Sequence, residues 1–322
     1  MPILYLFLLL GLASLPNVAH AAPTLAQAVA KLDAKYLQAK AIDTSDASPK
    51  IEVGSGEDEG TPKTREIEQG PIKAILSYKE AKTDTGDVSR TPVVTVLVEG
   101  KEVAKLEAED LGFGDPPVSV QIAELDPSNS ALEVVASFYT GGAHCCADTK
   151  ILTASKDGSS WRTVDLGELD GGPLTATDLN GDGSYEFETR DNAFLYTFGC
   201  YACSTAPLEI LAIEDGAVKN VTRDPRFRAA HEAVMKDIVG NVPDDDLNGF
   251  LAGYVAEKIL LGEGKEAWAL MLSHYDHKSD WGLDSCDQKL NEQGECPGKT
   301  LHLTFPDALE RMLKENGYTV EK

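Results

Sequence analysis

The spacing of apolar positions changes twice along the chain. Over 24–42 they recur at helical intervals, with Leu25, Val29, Leu32 and Tyr36 on one face, which predicts an N-terminal helix within 22–42. Residues 43–69 hold hardly any apolar side chains and are rich in Ser, Asp, Glu, Gly and Pro, the composition of a flexible linker. From residue 70 the period falls to that of strands. Runs at 72–78, 92–99, 118–125, 132–138, 150–154, 161–165, 186–190, 194–198 and 208–213 are divided by Gly, Asp and Pro turns. After Asn220 the helical spacing returns. Asp224 followed by Pro225 suits an N-cap and first turn, and Phe227, Ala230, Val234 and Ile238 share a face. Further helices are expected over 244–261, with Leu247, Leu251, Tyr254 and Leu261 inward, and over 265–277 and 305–316, with stops at Gly262 and Gly317. The expected class is α+β: a mostly antiparallel β domain over 70–222, partly propeller-like or sandwich-like, then a helical domain over 223–322.

Two segments of the β region repeat weakly. Glu124-Leu125-Asp126 precedes an acid at Glu133, then Cys145 and Cys146, then a strand. Asp178-Leu179-Asn180 precedes Glu186, then Cys200 and Cys203, then a strand. Each repeat of this size builds one sheet unit.

The ends and the cysteines set the compartment. Residues 3–15 form an apolar run too short to cross a bilayer, followed by small residues at the −3 and −1 positions before a cleavage point after Ala21. No basic residue precedes that run, yet the arrangement reads as a signal peptide over 1–21. No later segment reaches transmembrane length. All 6 cysteines follow the leader. An even count in an exported chain is expected to form disulfides. Cys286 and Cys296 would close a short loop. Adjacent Cys145 and Cys146 would bridge each other only with strain, so cross-pairing with Cys200 and Cys203 is expected, which equivalent positions in the two repeats support. The chain is expected to be periplasmic or secreted.

Charge narrows the partners. With 29 Lys and Arg against 53 Asp and Glu, the net charge is −24 and no basic run occurs. Nucleic acid, which needs clustered cations, is excluded as a partner, and anionic membranes are disfavoured. Divalent metals and polycations fit the charge.

One motif carries chemistry. Asp178, Asn180, Asp182 and Glu186 stand at positions 1, 3, 5 and 9 of a short loop, with Gly183 at position 6 and the Ser184 carbonyl at position 7. Calcium takes six to eight oxygens, and alternate side chains of a tight loop can converge on one ion. An EF-hand would need a Glu at position 12, where this chain has Thr189, and helices rather than strands at its flanks. The segment instead resembles the calcium loop of FG-GAP repeats of the integrin α and VCBS type, D-x-[DN]-x-D-G-x-x-[DE]. The likeness covers 178–186 strictly, and 124–213 if the degenerate first copy is counted, where Ser128, Asn129 and Ser130 replace acids. The resemblance implies one Ca²⁺ that stiffens a β-turn of an extracellular protein.

Other constellations are weaker. Cys200-Tyr-Ala-Cys203 has redox spacing but precedes a turn and a strand rather than a helix, which favours a structural disulfide. A His144–Cys145 nucleophile pair would be consumed by oxidation. His274, His277 and Asp280 could hold a Zn²⁺ open to water, and a secreted metal-dependent hydrolase is the alternative reading. Asp244, Asp245 and Asp246 suit a helix N-terminus. His231 and His302 have no readable partner. No nucleophile elbow, P-loop or dinucleotide fingerprint occurs. The leading expectation is an exported, calcium-binding, non-enzymatic binding or envelope-associated protein with an unknown protein or small-molecule ligand.

Overall fold

The computed structural model describes residues 23–42, 48–55, 63–84, 86–112, 114–143, 145–289, 291, 293–320 and 322. In chain order its elements are α1 (Leu25–Leu32), β1 (Lys50–Val53), β2 (Arg65–Gln69), β3 (Ile72–Lys82), β4 (Val88–Val98), β5 (Lys101–Glu107), β6 (Val118–Ala123), β7 (Glu133–Tyr139), β8 (Cys145–Ala154), β9 (Trp161–Asp170), β10 (Phe187–Arg190), β11 (Leu208–Glu214), β12 (Ala217–Asn220), α2 (Arg228–Gly240), α3 (Leu247–Leu260), α4 (Gly264–His274), β13 (Asp284–Cys286), β14 (Thr300–His302) and α5 (Phe305–Glu315). The expected leader, 1–21, and His144 lie outside the described residues.

The strands form antiparallel sheets in the orders β2-β3-β4-β5, β1-β6-β7-β8-β9, β10-β11-β12 and β13-β14, followed by helices, an α+β arrangement with no closed barrel. Alternation explains the stacking. Val118, Val120 and Ile122 of β6 and Val134, Ala136 and Phe138 of β7 pack with Ile72, Leu76, Val94 and Leu106 of the four-stranded sheet. Val135, Ile151 and Val164 leave by the opposite face of the same five-stranded sheet and meet Phe187, Leu211 and Ile213. That sheet is therefore covered on both sides, and β6 and β7 are almost wholly buried. A third core joins Leu208 and Ile210 to α1, α2, α3, α4 and α5.

Polar side chains on the five-stranded sheet aim the segment that leads to the acidic loop. The Gln121 amide donates to the Ala176 carbonyl (2.9 Å) and accepts the Ala176 N–H (2.7 Å), which imitates a strand pairing. Ser119 Oγ donates to the Leu174 carbonyl (2.6 Å), and the Leu174 N–H donates to Ser137 Oγ (2.9 Å). With four bonds, two of them fully buried, the chain reaches residue 177 in a fixed direction.

The structure corrects four expectations. Residues 43–69 are not a linker throughout, because β1 pairs with β6 and buries Ile51 and Val53, while β2 pairs with β3. Each of these strands has too few apolar residues to show a period, and tertiary pairing makes them strands. Residues 194–198 are not a strand: Phe194 ends the 3-10 segment Asn192–Phe194, and 195–198 turn after it. The cysteines do not cross-pair. Cys145 is bonded to Cys146, Cys200 to Cys203 and Cys286 to Cys296. Cys145 opens β8, whereas Cys200 and Cys203 close a turn pressed against α3, so each pair is satisfied within its own segment. Finally, Asp246 is the N-cap residue of α3, as expected, but it lies in the left-handed region at φ 51° and its side chain makes no capping hydrogen bond. Docking of that helix needs small residues: a Cβ on Gly253 would stand 1.8 Å from the Thr205 carbonyl oxygen.

Candidate metal centre

The loop 178–186 leaves the anchored segment and closes on itself through Thr177 and Glu186, which exchange two main-chain bonds of 2.8 and 2.9 Å. Its acids face inward because they accept the loop's own N–H groups. Asp178 Oδ1 accepts from Gly181 (2.7 Å) and Asp182 (3.1 Å), and Asp178 Oδ2 accepts from Gly183 (2.9 Å). Asn180 Oδ1 accepts from Asp182 (2.8 Å), and Asp182 Oδ1 from Ser184 (2.9 Å). Gly183 has φ +90°, a conformation that a side chain would strain, so the position-6 glycine is required by the turn. Asp178, Asn180, Asp182, Ser184 and Glu186 share this turn, and the carboxylate oxygens of Asp178, Asp182 and Glu186 do not all lie within 4.8 Å of one another.

Glu186 is the most constrained of them. It is 3% exposed, and its Oε2 accepts the Leu179 N–H at 3.1 Å. Among the described residues nothing donates to Oε1. Burial, with Asp182 and Asp178 adding to it against the Leu179 N–H and Arg226, pushes the Glu186 carboxyl up to about 7. Asn180 Nδ2 is also buried without a partner. Among the described residues that line the cleft beside the loop, one is a cation: Arg226 Nη1 lies 3.5 Å from Asp182 Oδ2 while its Nε donates to Asp224 (3.0 Å).

The first copy of the repeat shows what a completed version looks like. Glu133 is fully buried, and its Oε2 accepts the N–H of Leu125 (2.8 Å), as Glu186 does from Leu179. Oε2 also accepts from Asp126 (3.1 Å), and Oε1 accepts from Asn129 Nδ2 (3.0 Å) and Thr153 Oγ1 (3.0 Å). Side-chain donors thus occupy the side of Glu133 that corresponds to the bare side of Glu186. The two loops touch, since the Tyr185 N–H donates to the Glu124 carbonyl (2.8 Å). Glu124 was invisible as a site residue in the sequence. Its Oε1 is buried without a partner, and burial, reinforced by Glu133 and Asp126, pushes its carboxyl up to about 7.

The other candidate cluster comes apart. His274 ends α4, where Nδ1 faces the Leu270 carbonyl (3.1 Å) and Ser273 Oγ (2.8 Å) and Nε2 faces the Pro23 carbonyl (3.3 Å). Tyr275 is extended, so the helical i, i+3 spacing fails. His277 turns against the Tyr275 ring (3.9 Å between centroids) and lines, with Asp280, a different cleft. Among the described residues, the one group of three such ligand atoms within 4.8 Å of one another is Cys286, Asp287 and Cys296. The two sulfurs there are bonded to each other, which leaves Asp287 without co-ligands.

Burial supplies a partner for His231. Its Nδ1 faces Glu257 Oε1 (2.6 Å) and its Nε2 the Thr222 carbonyl (2.8 Å), while Glu257 Oε2 accepts the Leu208 N–H (2.8 Å). Both ring nitrogens meet acceptors, an arrangement that favours the doubly protonated ring. Burial opposes that charge, but the Glu257 carboxylate and the Thr222 carbonyl outweigh it and raise the His231 pKa.

Among the described residues, no helix is long and apolar enough to cross a membrane. Residues 227–317, from the turn before α2 to the end of α5, match the sll0997 C-terminal domain family. No solved structure matches the chain. Among proteins with curated names, the Uncharacterized protein y4bJ of Sinorhizobium fredii is 35% identical over 241 residues, which is 71% of this chain and 37% of that protein. The Probable thylakoid lumen protein sll0997 of Synechocystis is 40% identical over 261 residues, 80% of this chain and 76% of that protein. At that identity and coverage, this chain belongs to the family of the Synechocystis protein sll0997.

Proposed function

We propose that this protein is an exported calcium-binding module that acts by presenting an ordered surface rather than by catalysis. The observation that carries the reading is the contrast between the twin loops. Glu186 is 3% exposed and has a protein donor on one of its two oxygens. Glu133, in the equivalent place, has Asn129 and Thr153 on the other. A cation held by Asp178, Asn180, Asp182, the Ser184 carbonyl and Glu186 would supply what the second loop lacks. These are hard oxygen donors in a flexible turn, which suits Ca²⁺ better than a softer metal. The likeness to FG-GAP loops supports the same ion.

Export rests on the leader-like residues 1–21, on three disulfides, and on the lumenal name of the Synechocystis relative. By pairing with Asp182 from the turn that opens α2, Arg226 joins the loop to the helical layer, so an ion there would stiffen the junction as well as the turn. The presented surface would serve a protein or small-molecule partner.

Terbium titration tests the reading, because Tyr185 lies inside the loop and can sensitise a bound lanthanide. The expected result is a saturable emission, displaced by Ca²⁺ and absent in Glu186→Gln and Asp182→Ala. Emission that survives in both variants would place the ion elsewhere and overturn the assignment.

A further inference from the structure

Two large aromatic side chains are left in water side by side. Tyr196 is 51% exposed and Trp281 49%. They are 85 residues apart in the chain, yet the Trp281 indole N–H donates to the Tyr196 carbonyl (2.9 Å). The half-buried Tyr201 ring joins them, with its centroid 5.6 Å from that of Tyr196. Scattered apolar residues are ordinary on a surface, whereas neighbouring exposed rings mark a recognition surface.

Three constraints fix these rings in place. Tyr196 lies in the left-handed region at φ 60°, a rare conformation for a bulky residue that persists where the surroundings over-determine it. Its N–H donates to Ser204 Oγ (3.2 Å), Ser204 donates to the Cys200 carbonyl (2.9 Å), and the Cys200–Cys203 disulfide closes that turn. From the other side, a Cβ on Gly282 would stand 1.8 Å from the Thr197 carbonyl oxygen, so the segment carrying Trp281 is seated directly on the same turn. Rings held in this way lose little freedom on binding, as interface anchors do.

The border of the patch selects its partner. Asp170 accepts the Tyr201 hydroxyl, Asp246 Oδ2 lies 3.3 Å from Cys203 Sγ, and Asp280 directly precedes Trp281. Asp237 lines, together with Tyr201, an adjoining cleft of about 430 Å³. Asp237, Asp246 and Asp280 are exposed. Of the cations nearby, Arg190 donates to Glu188 (3.1 Å) and Lys278 lines a different cleft. An apolar segment laid here would desolvate those acids without a counter-charge. A guanidinium stacks flat on aromatic rings and forks to carboxylates, which a compact ammonium does less well.

We propose that the patch of Tyr196, Tyr201 and Trp281 docks an arginine-bearing segment of a partner polypeptide, with the guanidinium on the rings and the bordering carboxylates as its counter-charge. This names the partner class of the presented surface and rests on that part of the proposed function; it does not require the calcium loop.

Fluorescence anisotropy of a labelled, capped pentapeptide with two arginines alternating with serines tests it on the mature protein at about 0.15 M salt, where exposed charges beyond roughly 8 Å are screened. Saturable binding is expected, and the matched lysine peptide should bind about fivefold more weakly or worse. Trp281→Ala and Tyr196→Asn should each weaken the arginine peptide about fivefold or more. Asn tolerates the left-handed backbone, and thermal melting of both variants checks the fold. The proposal is overturned if the arginine peptide does not saturate, if the lysine peptide binds as tightly, or if either folded variant binds as the wild type does. It is also overturned if N,N′-diacetylchitobiose displaces the peptide, which would make the patch a saccharide platform. Sedimentation gives the last outcome: a wild-type dimer that Trp281→Ala dissociates would assign the face to a second copy of the chain and overturn it too. Terbium emission in both variants should match the wild type, so failure of the patch and failure of the calcium reading give different patterns.

Discussion

Replacing Lys258 by Met would remove one charge from a deeply buried ionic network. Lys258 is 1% exposed and pairs with Asp33, 0% exposed, and with Glu263. Asp33 is the C-cap of α1, and its second oxygen accepts the Tyr254 hydroxyl (2.6 Å). The network therefore clasps the N-terminal helix to α3. A buried pair contributes little over a well-packed apolar pair, because desolvation offsets the attraction. Breaking it from one side is different: Asp33 would keep its charge with the tyrosine as its one donor, at a cost of about 3–5 kcal/mol. Against a typical total of about 5–15 kcal/mol this is a large fraction. Equilibrium urea unfolding of Lys258→Met, Asp33→Asn and the double variant measures it. Neutralising both members should restore most of the loss, giving a coupling of about 2 kcal/mol or more. A loss under about 1 kcal/mol in Lys258→Met, the range of exposed pairs, would refute the picture of a desolvated clasp.

Three further outcomes follow from the same structure. His231 has a raised pKa in the folded state, so its pairing with Glu257 stabilises the fold fully below the unfolded value of about 6.5 and is lost as pH rises through the folded value. Unfolding free energy measured from pH 6 to 9 should therefore fall in the wild type relative to His231→Gln, and parallel curves would contradict the doubly protonated ring. Asn129→Ala removes a side-chain donor from Glu133 and should cost about 1–3 kcal/mol in chemical denaturation; no change would mean that the first loop is not held by its own side chains. Converting Cys286 and Cys296 to Ser opens a loop of sequence separation 10 and should lower stability by about 2–4 kcal/mol by calorimetry, without altering terbium emission at the acidic turn.

What was readable in the sequence was local. The long strands β3 and β4 pair over eleven positions, and their alternation is dense enough to show. The acidic loop was readable because its ligand types stand at alternate positions of one turn. The contents of the first loop were not, since Thr153, which completes Glu133, is 20 residues away. The partner of His231 lies 26 residues off in α3, and that of Asp33 lies 225 residues off. Strands β1 and β2 owe their form to neighbours rather than to their own composition. The cysteine pairing went astray because equivalence between repeats suggested a bond, whereas each pair is held within its own turn. The zinc reading failed on a single residue, the extended Tyr275 that ends α4 between the two histidines.

The central claim is that the bare side of Glu186 is a calcium position. Thermal unfolding of the mature protein in EDTA and in millimolar Ca²⁺, beside Asp182→Ala and Glu186→Gln, addresses it most directly. An ion that binds only the folded state raises stability by RT ln(1 + [L]/Kd), about 2.7 kcal/mol at a hundredfold excess over Kd. The account predicts a shift of that order in the wild type and none in either variant. A wild-type transition that is the same in chelator and in calcium would contradict it.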